Sequence, residues 1–152
     1  MVSVLLRFCA PLFVFIFHFS QAQVNDPVSW LTNTSRVRQG EMILTFSAAL
    51  APGWHLYSQR MKAGGPIPTR FRFKGGDDYV LAGVTQERGD AVTFHDELYD
   101  LEVTWYADLV TFTQLIKLVG PVATVSGTVE YMVCNNEMCI PNEWTFSIPI
   151  SP

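Results

Sequence analysis

Short runs of alternating apolar and polar residues, separated by turn residues, recur from Met42 to Ile150. A period of two sends successive side chains to opposite faces of a strand, so this patterning predicts an all-β domain. MILTFSAAL (42–50) follows the turn RQGE, WHLYSQ (54–59) follows Pro52-Gly53, and PTRFRF (68–73) stops at the breaker KGGDD. Further runs are YVLAGV (79–84), AVTFHDELY (91–99), EVTWYADL (102–109), FTQLIKLV (112–119), TVSGTVEYMVC (124–134) and EWTFSIPI (143–150). A 3.6-residue apolar period is scarce. In TFTQLIKLV, Leu115, Leu118 and Val119 would share a helix face, yet the β-branched and aromatic content of that run favours a strand. Seven to nine strands result, the number expected of an immunoglobulin-like β-sandwich. Residues 59–66, polar and Gly-rich between two strands, form the one stretch that reads as mobile.

The start of the chain departs from this pattern. MVSVLLRFCAPLFVFIFHFSQAQ carries one positive charge at Arg7, an apolar run from Phe8 to Phe19, and small residues at Ser20 and Ala22. These features predict a secretory signal peptide over residues 1–22, cut after Ala22. The run is too short for a membrane helix and is broken by Pro11 and His18, so no stable membrane anchor is expected. Cleavage would leave 130 of the 152 residues, enough for one domain with a real core, residues 23–152. With Arg7 removed, 9 basic residues stand against 14 acidic ones, a formal charge of −5. Nucleic acid and anionic lipid are poor partners for such a surface.

Cysteine usage changes too, because Cys9 would leave with the leader and only Cys134 and Cys139 would remain. On a continuous strand their Cα atoms would stand about 16 Å apart, on opposite faces. A disulfide needs them about 4.4–6.8 Å apart, so the chain must reverse between them, and Asn135-Asn136 is suitable turn chemistry. Three chemistries fit a hairpin with Cys134 ending one strand and Cys139 opening the next. A structural bridge is the plain one for an exported β domain. Yet a loop of about six residues removes only about 2 kcal/mol of denatured-chain freedom, against nearly 5 for a loop of about 100. A redox-active pair is the second, since sulfurs at a hairpin tip are open to a partner's thiolate. A metal clip is the third, with His55 and His95 completing a Cys2His2 set, but the histidines are 40 residues apart and the spacing is nonspecific.

Three stretches, in order along the chain, resemble a known family. PGWHLYSQ (52–59), FHDELYD (94–100) and VEYMVCNNEMCIP (129–141) are similar to the site floor, acidic-aromatic cap loop and cysteine hairpin of the N-terminal periplasmic domain of the thiol:disulfide interchange protein DsbD. The resemblance implies an immunoglobulin-like fold in the bacterial periplasm and a relay of reducing equivalents from a thioredoxin-like donor to envelope partner proteins. It assigns Cys139 to the mixed disulfide with partners and Cys134 to its resolution. Leu98 with Tyr99 would form a cap over the sulfurs, and Tyr57 moves towards the site. Folded over the pair, Asp96 and Glu97 would raise the cysteine pKa and keep the resting thiols protonated.

Four residues separate the cysteines here where the best-known member has five, Leu98 stands where an aromatic cap is expected, and Asn142 takes a position often held by proline. The chain carries no multi-span membrane segment and no thioredoxin-like C-x-x-C, so a separate donor protein is expected. The resulting expectation is a monomeric, cofactor-free thiol-disulfide exchange module without a metal. Its rival is a non-catalytic envelope binding module whose hairpin disulfide is structural.

Overall fold

A computed structural model describes residues 26–120 and 123–150, so the expected leader, with Cys9, lies outside the described residues. The described chain is an immunoglobulin-like β-sandwich of eight strands: β1 (Val28–Arg38), β2 (Glu41–Leu50), β3 (His55–Tyr57), β4 (Arg70–Phe73), β5 (Tyr79–Asp96), β6 (Leu101–Leu118), β7 (Ala123–Cys134) and β8 (Cys139–Ile150). TFTQLIKLV is strand throughout, as its side-chain types favour. β1 has no counterpart among the alternating runs, because it is an edge strand paired only with β2 and shows water most of its side chains.

Two pairs of runs fuse into the 18-residue strands β5 and β6. Residues 86–89 of β5, between the runs, pair in register with 110–113 of β6, and the β5–β6 register is irregular on either side, between Ala82 and Gln86 and between Gly89 and Ala91. At the first, Gly83 takes φ 74°. Buried Gln114 closes that gap, accepting from the Thr85 hydroxyl at 2.9 Å and donating to the carbonyl of Leu115 at 2.8 Å. A buried amide left unpaired would be costly, so these bonds are what allow Gln114 in the interior.

The hydrogen-bonded order is β1-β2-β6-β3-β7-β4, with β5 on β6 and β8 on β7, all antiparallel. The sandwich arises because β6 changes partner. Its residues 109–117 pair with β2, while 105–107 pair with β3. Asp108 stands at the change with φ 57°, a left-handed conformation that aspartate tolerates better than most residues.

Aromatic rings fill the interior between the layers. Phe46 of β2 meets Phe146 of β8 at 4.9 Å and Phe71 of β4 at 5.0 Å, and Phe71 meets Phe112 of β6 at 5.1 Å. Trp30 of β1 stacks on Trp144 of β8 at 5.3 Å. Such pairs add about 0.5–1.5 kcal/mol each beyond their area burial. β4 lies so close to β7 that a Cβ on Gly127 would stand 2.3 Å from the Arg72 carbonyl oxygen. The segment between β3 and β4 is tied down at both ends. The Glu87 carboxylate accepts from the Ser58 hydroxyl at 2.6 Å and the Gln59 amide at 2.8 Å, and Thr69 donates to the Tyr57 carbonyl at 2.6 Å.

A β-branched side chain at Asp108 would clash with its own backbone. Asp108→Val should therefore lower unfolding free energy by about 1–2 kcal/mol in urea titration, while Asp108→Gly should not.

Candidate functional site

β7 ends at Cys134 and β8 opens at Cys139, and the two residues lie directly opposite in the antiparallel register. Their Cα atoms are 4.1 Å apart and their sulfurs are joined. The hairpin tip is closed mainly by Asn135. Its amide donates to the Met138 carbonyl at 2.9 Å, and its side-chain oxygen accepts from the amides of Glu137 at 2.9 Å and Met138 at 2.8 Å. This is the Asx-turn chemistry available to asparagine. The positive φ that asparagine also tolerates is not used, since among the described non-glycine residues only Asp100 and Asp108 have it.

The two sulfur-bearing residues are not equivalent. Cys134 is 2 % exposed and sits in a small apolar cluster with Tyr57 and Val103, flanked by Met61, Leu101, Trp105 and Met132. Cys139 is exposed. An incoming thiolate attacks a disulfide along the S–S axis and needs access to one sulfur. That access lies on the Cys139 side.

Strand pairing builds the floor. His55 of β3 is opposite Cys134 of β7 on one side and Ala107 of β6 on the other, while Tyr57 is opposite Trp105. Residues opposed in register share a face, so His55, Tyr57, Trp105, Ala107 and Cys134 line one surface. The His55 ring packs on Trp105 with centroids 4.6 Å apart, and its Nε2 is 3.5 Å from the Tyr57 hydroxyl oxygen. Together with Phe94 of β5, Gly53, Trp54 and the cysteine hairpin, they line a cavity of about 470 Å³ that includes both cysteines. Burial pushes the His55 imidazole down from its ordinary pKa. The Tyr57 hydroxyl is pushed up, chiefly by burial and further by the nearby Tyr99 and Asp96.

The acidic-aromatic segment caps the β5–β6 hairpin. The Asp96 carboxylate accepts from the amides of Leu98 at 2.9 Å and Tyr99 at 3.3 Å, Asp100 takes φ 51°, and His95 Nε2 is 3.3 Å from Asp100. Leu98 is 84 % exposed, Tyr99 39 % exposed and Glu97 exposed, and none of the three lines the cavity. Asp96 does not line it either; its field reaches the site through Tyr57. The apolar side chain that this hairpin brings to the cavity wall is Phe94, from the end of β5.

Of the expected site residues, the structure brings together Cys134, Cys139 and Tyr57, and it holds Asp96 and Tyr99 beside Tyr57. His95 is outside the cavity, and among the described residues no three His, Cys, Asp or Glu side chains are grouped as metal ligands. Phe94 and Trp105 were not singled out from sequence, and His55 was weighed only as a metal ligand. Alternation could have pointed to Phe94, which shares a strand face with Asp96; Trp105 depends on a long-range register.

A β-sandwich with a disulfide across one hairpin, one cysteine exposed and the other buried over an aromatic floor, has the geometry that a thiol-disulfide exchange domain needs. Residues 27–149 match the family described as "Thiol:disulfide interchange protein DsbD, N-terminal", and the chain belongs to that family. Among solved structures it is similar to the N-terminal periplasmic domain of ScsB from Proteus mirabilis, at 16 % identity and a TM-score of 0.61, covering 84 % of this chain and 48 % of that one. The chain thus spans about half the length of that ScsB structure. It is also similar to the Neisseria meningitidis DsbD N-terminal domain in the reduced form, at 17 % identity and a TM-score of 0.53, covering 81 % of this chain and 86 % of that one. No curated protein sequence matches the chain.

If Phe94 screens the pair, Phe94→Ala should raise the rate at which a small phosphine reduces the disulfide by a few-fold, and Leu98→Gly should raise it less. An unchanged rate in Phe94→Ala would remove that ring from the shield.

Proposed function

We propose that the domain relays reducing equivalents in the bacterial periplasm between a thioredoxin-like donor and envelope thiol-disulfide proteins, through Cys134 and Cys139. The inequality of the two sulfurs carries this reading. A donor thiolate attacks Cys139, whose residue is exposed, and Cys134 leaves as the thiolate into its apolar cluster. In the opposite half-cycle Cys139 forms the mixed disulfide with an acceptor and Cys134 resolves it. Neither step needs a cofactor or a metal, and a monomer suffices. Family membership and the apolar leader support a periplasmic location.

The loop bearing Asp96, Glu97, Leu98 and Tyr99 acts in this scheme as the cap that a partner engages. Its exposed Leu98 meets the partner, and movement of the hairpin withdraws Phe94 from the cavity wall. No Lys or Arg lines the cavity to favour a thiolate, so unsolicited exchange is slow.

A purely structural bridge predicts something different. Equilibrated against glutathione, a relay pair should titrate above about −300 mV, whereas a structural bridge should lie below it and resist reduction. In an envelope extract, Cys134→Ser should trap a partner on Cys139 as a mixed disulfide, and Cys139→Ser should trap none. Trapping by Cys139→Ser alone would reverse the two roles.

A further inference from the structure

We propose that His55 is the proton acceptor for the Cys134 thiol when that thiol resolves a mixed disulfide on Cys139. The inference rests on the reading of Cys134 as the resolving cysteine and assigns the base which that reading lacks. A cysteine reacts as its thiolate, and burial in apolar surroundings raises its pKa. Cys134, 2 % exposed among apolar neighbours, therefore needs a local base to react near neutral pH.

His55 is the residue directly across the ladder from Cys134, and opposed side chains in an antiparallel pair have Cβ atoms about 4.5–5.5 Å apart on one face. Both line the same cavity, and no carboxylate or cation does. Tyr57 from its own strand and Trp105 from β6 contact the ring, and Gly53, Trp54, Ala107, Phe94 and the cysteine hairpin of β7 and β8 share its cavity. Asp96 stands beyond them, beside Tyr57. Stacking on Trp105 and the contact of Nε2 with the Tyr57 hydroxyl fix the ring's orientation. Burial keeps the imidazole neutral near pH 7, the form that can accept a proton.

The step balances within the pair and its partner. The Cys134 proton passes to the imidazole, and the Cys134 sulfur forms the bond to Cys139 Sγ. The bond from Cys139 to the partner sulfur breaks, and the partner departs as a thiolate with the electron pair. The cysteine pair is oxidised and the partner reduced, and the imidazolium gives up its proton to the departing thiolate or to water.

Ellman's reagent supplies a defined partner for the test. The reduced domain should release one thionitrobenzoate on forming the Cys139 adduct and a second when Cys134 resolves it, both followed by stopped-flow absorbance. Between pH 8 and 6.5 the second rate should fall only a few-fold in the native protein. In His55→Phe, which keeps a ring to stack on Trp105, it should track the thiolate fraction and fall about 30-fold. Added imidazole should restore the rate in His55→Ala. Matching pH profiles for the native protein and His55→Phe overturn the proposal. Should neither variant fold, a native profile that itself falls about 30-fold overturns it, and a shallow one supports it. The cysteine roles are checked separately: a first release that survives in Cys139→Ser and is lost in Cys134→Ser refutes the relay assignment, whatever His55 does.

Discussion

The change of partner along β6 is the constraint on which the site depends. A strand that stayed beside β2 along its whole length would leave no edge for β3, and β3, three residues long, could not stand alone. The left-handed residue Asp108 releases β6 from β2, and the next three residues towards its N-terminus take up His55, Leu56 and Tyr57. β3 in turn meets the last two residues of β7. One backbone irregularity thus sets the distance between the β5–β6 hairpin and the cysteine hairpin. It also explains why the two faces of β3 serve different ends: Leu56 is wholly buried in the main core, while His55 and Tyr57 look into the cavity beside the disulfide.

The disulfide's position in the ladder has a chemical consequence. A bridge between directly opposed residues closes a short loop and restrains the denatured chain little. Breaking it leaves β7 and β8 still paired from residue 123 to residue 133 against 140 to 150, so reduction need not unfold the sandwich. Low structural cost on either side of the reaction is what a pair that cycles between two oxidation states requires. The 12-residue partner strands supply the rigidity that the sulfurs do not.

Much of the fold was legible in sequence because two-residue alternation is local. The runs that became β2, β7 and β8 show it plainly, and so does the reversal forced by the Cys134–Cys139 spacing. β1 escaped because an edge strand with one buried end has no alternation to read. The fusion of runs into β5 and β6 escaped for the opposite reason. The polar stretch 85–90, with Gly89, looks like a break, and only the cross-strand register shows that β5 continues through it by way of bulges. In the site, the cysteines and Tyr57 followed from local motifs, whereas the contact of His55 with Trp105 joins residues 50 apart in sequence. No local pattern encodes that register.

The electrostatic setting of the pair runs opposite to that of a fast, indiscriminate thiol. Reactive cysteines are commonly activated by a cation or a helix N-terminus. Here the described residues contain no helix, and the cavity wall is aromatic, aliphatic and amide. The acidic residues nearby are held back in the loop turn, where the Asp96 carboxylate is occupied by two backbone amides. A thiolate formed at Cys134 would therefore have few partners beyond the histidine facing it, which favours the thiol form. In the proposed relay, a partner protein would bring its own sulfur into line with Cys139, and the histidine opposite Cys134 would take the proton in a cavity lined by no carboxylate.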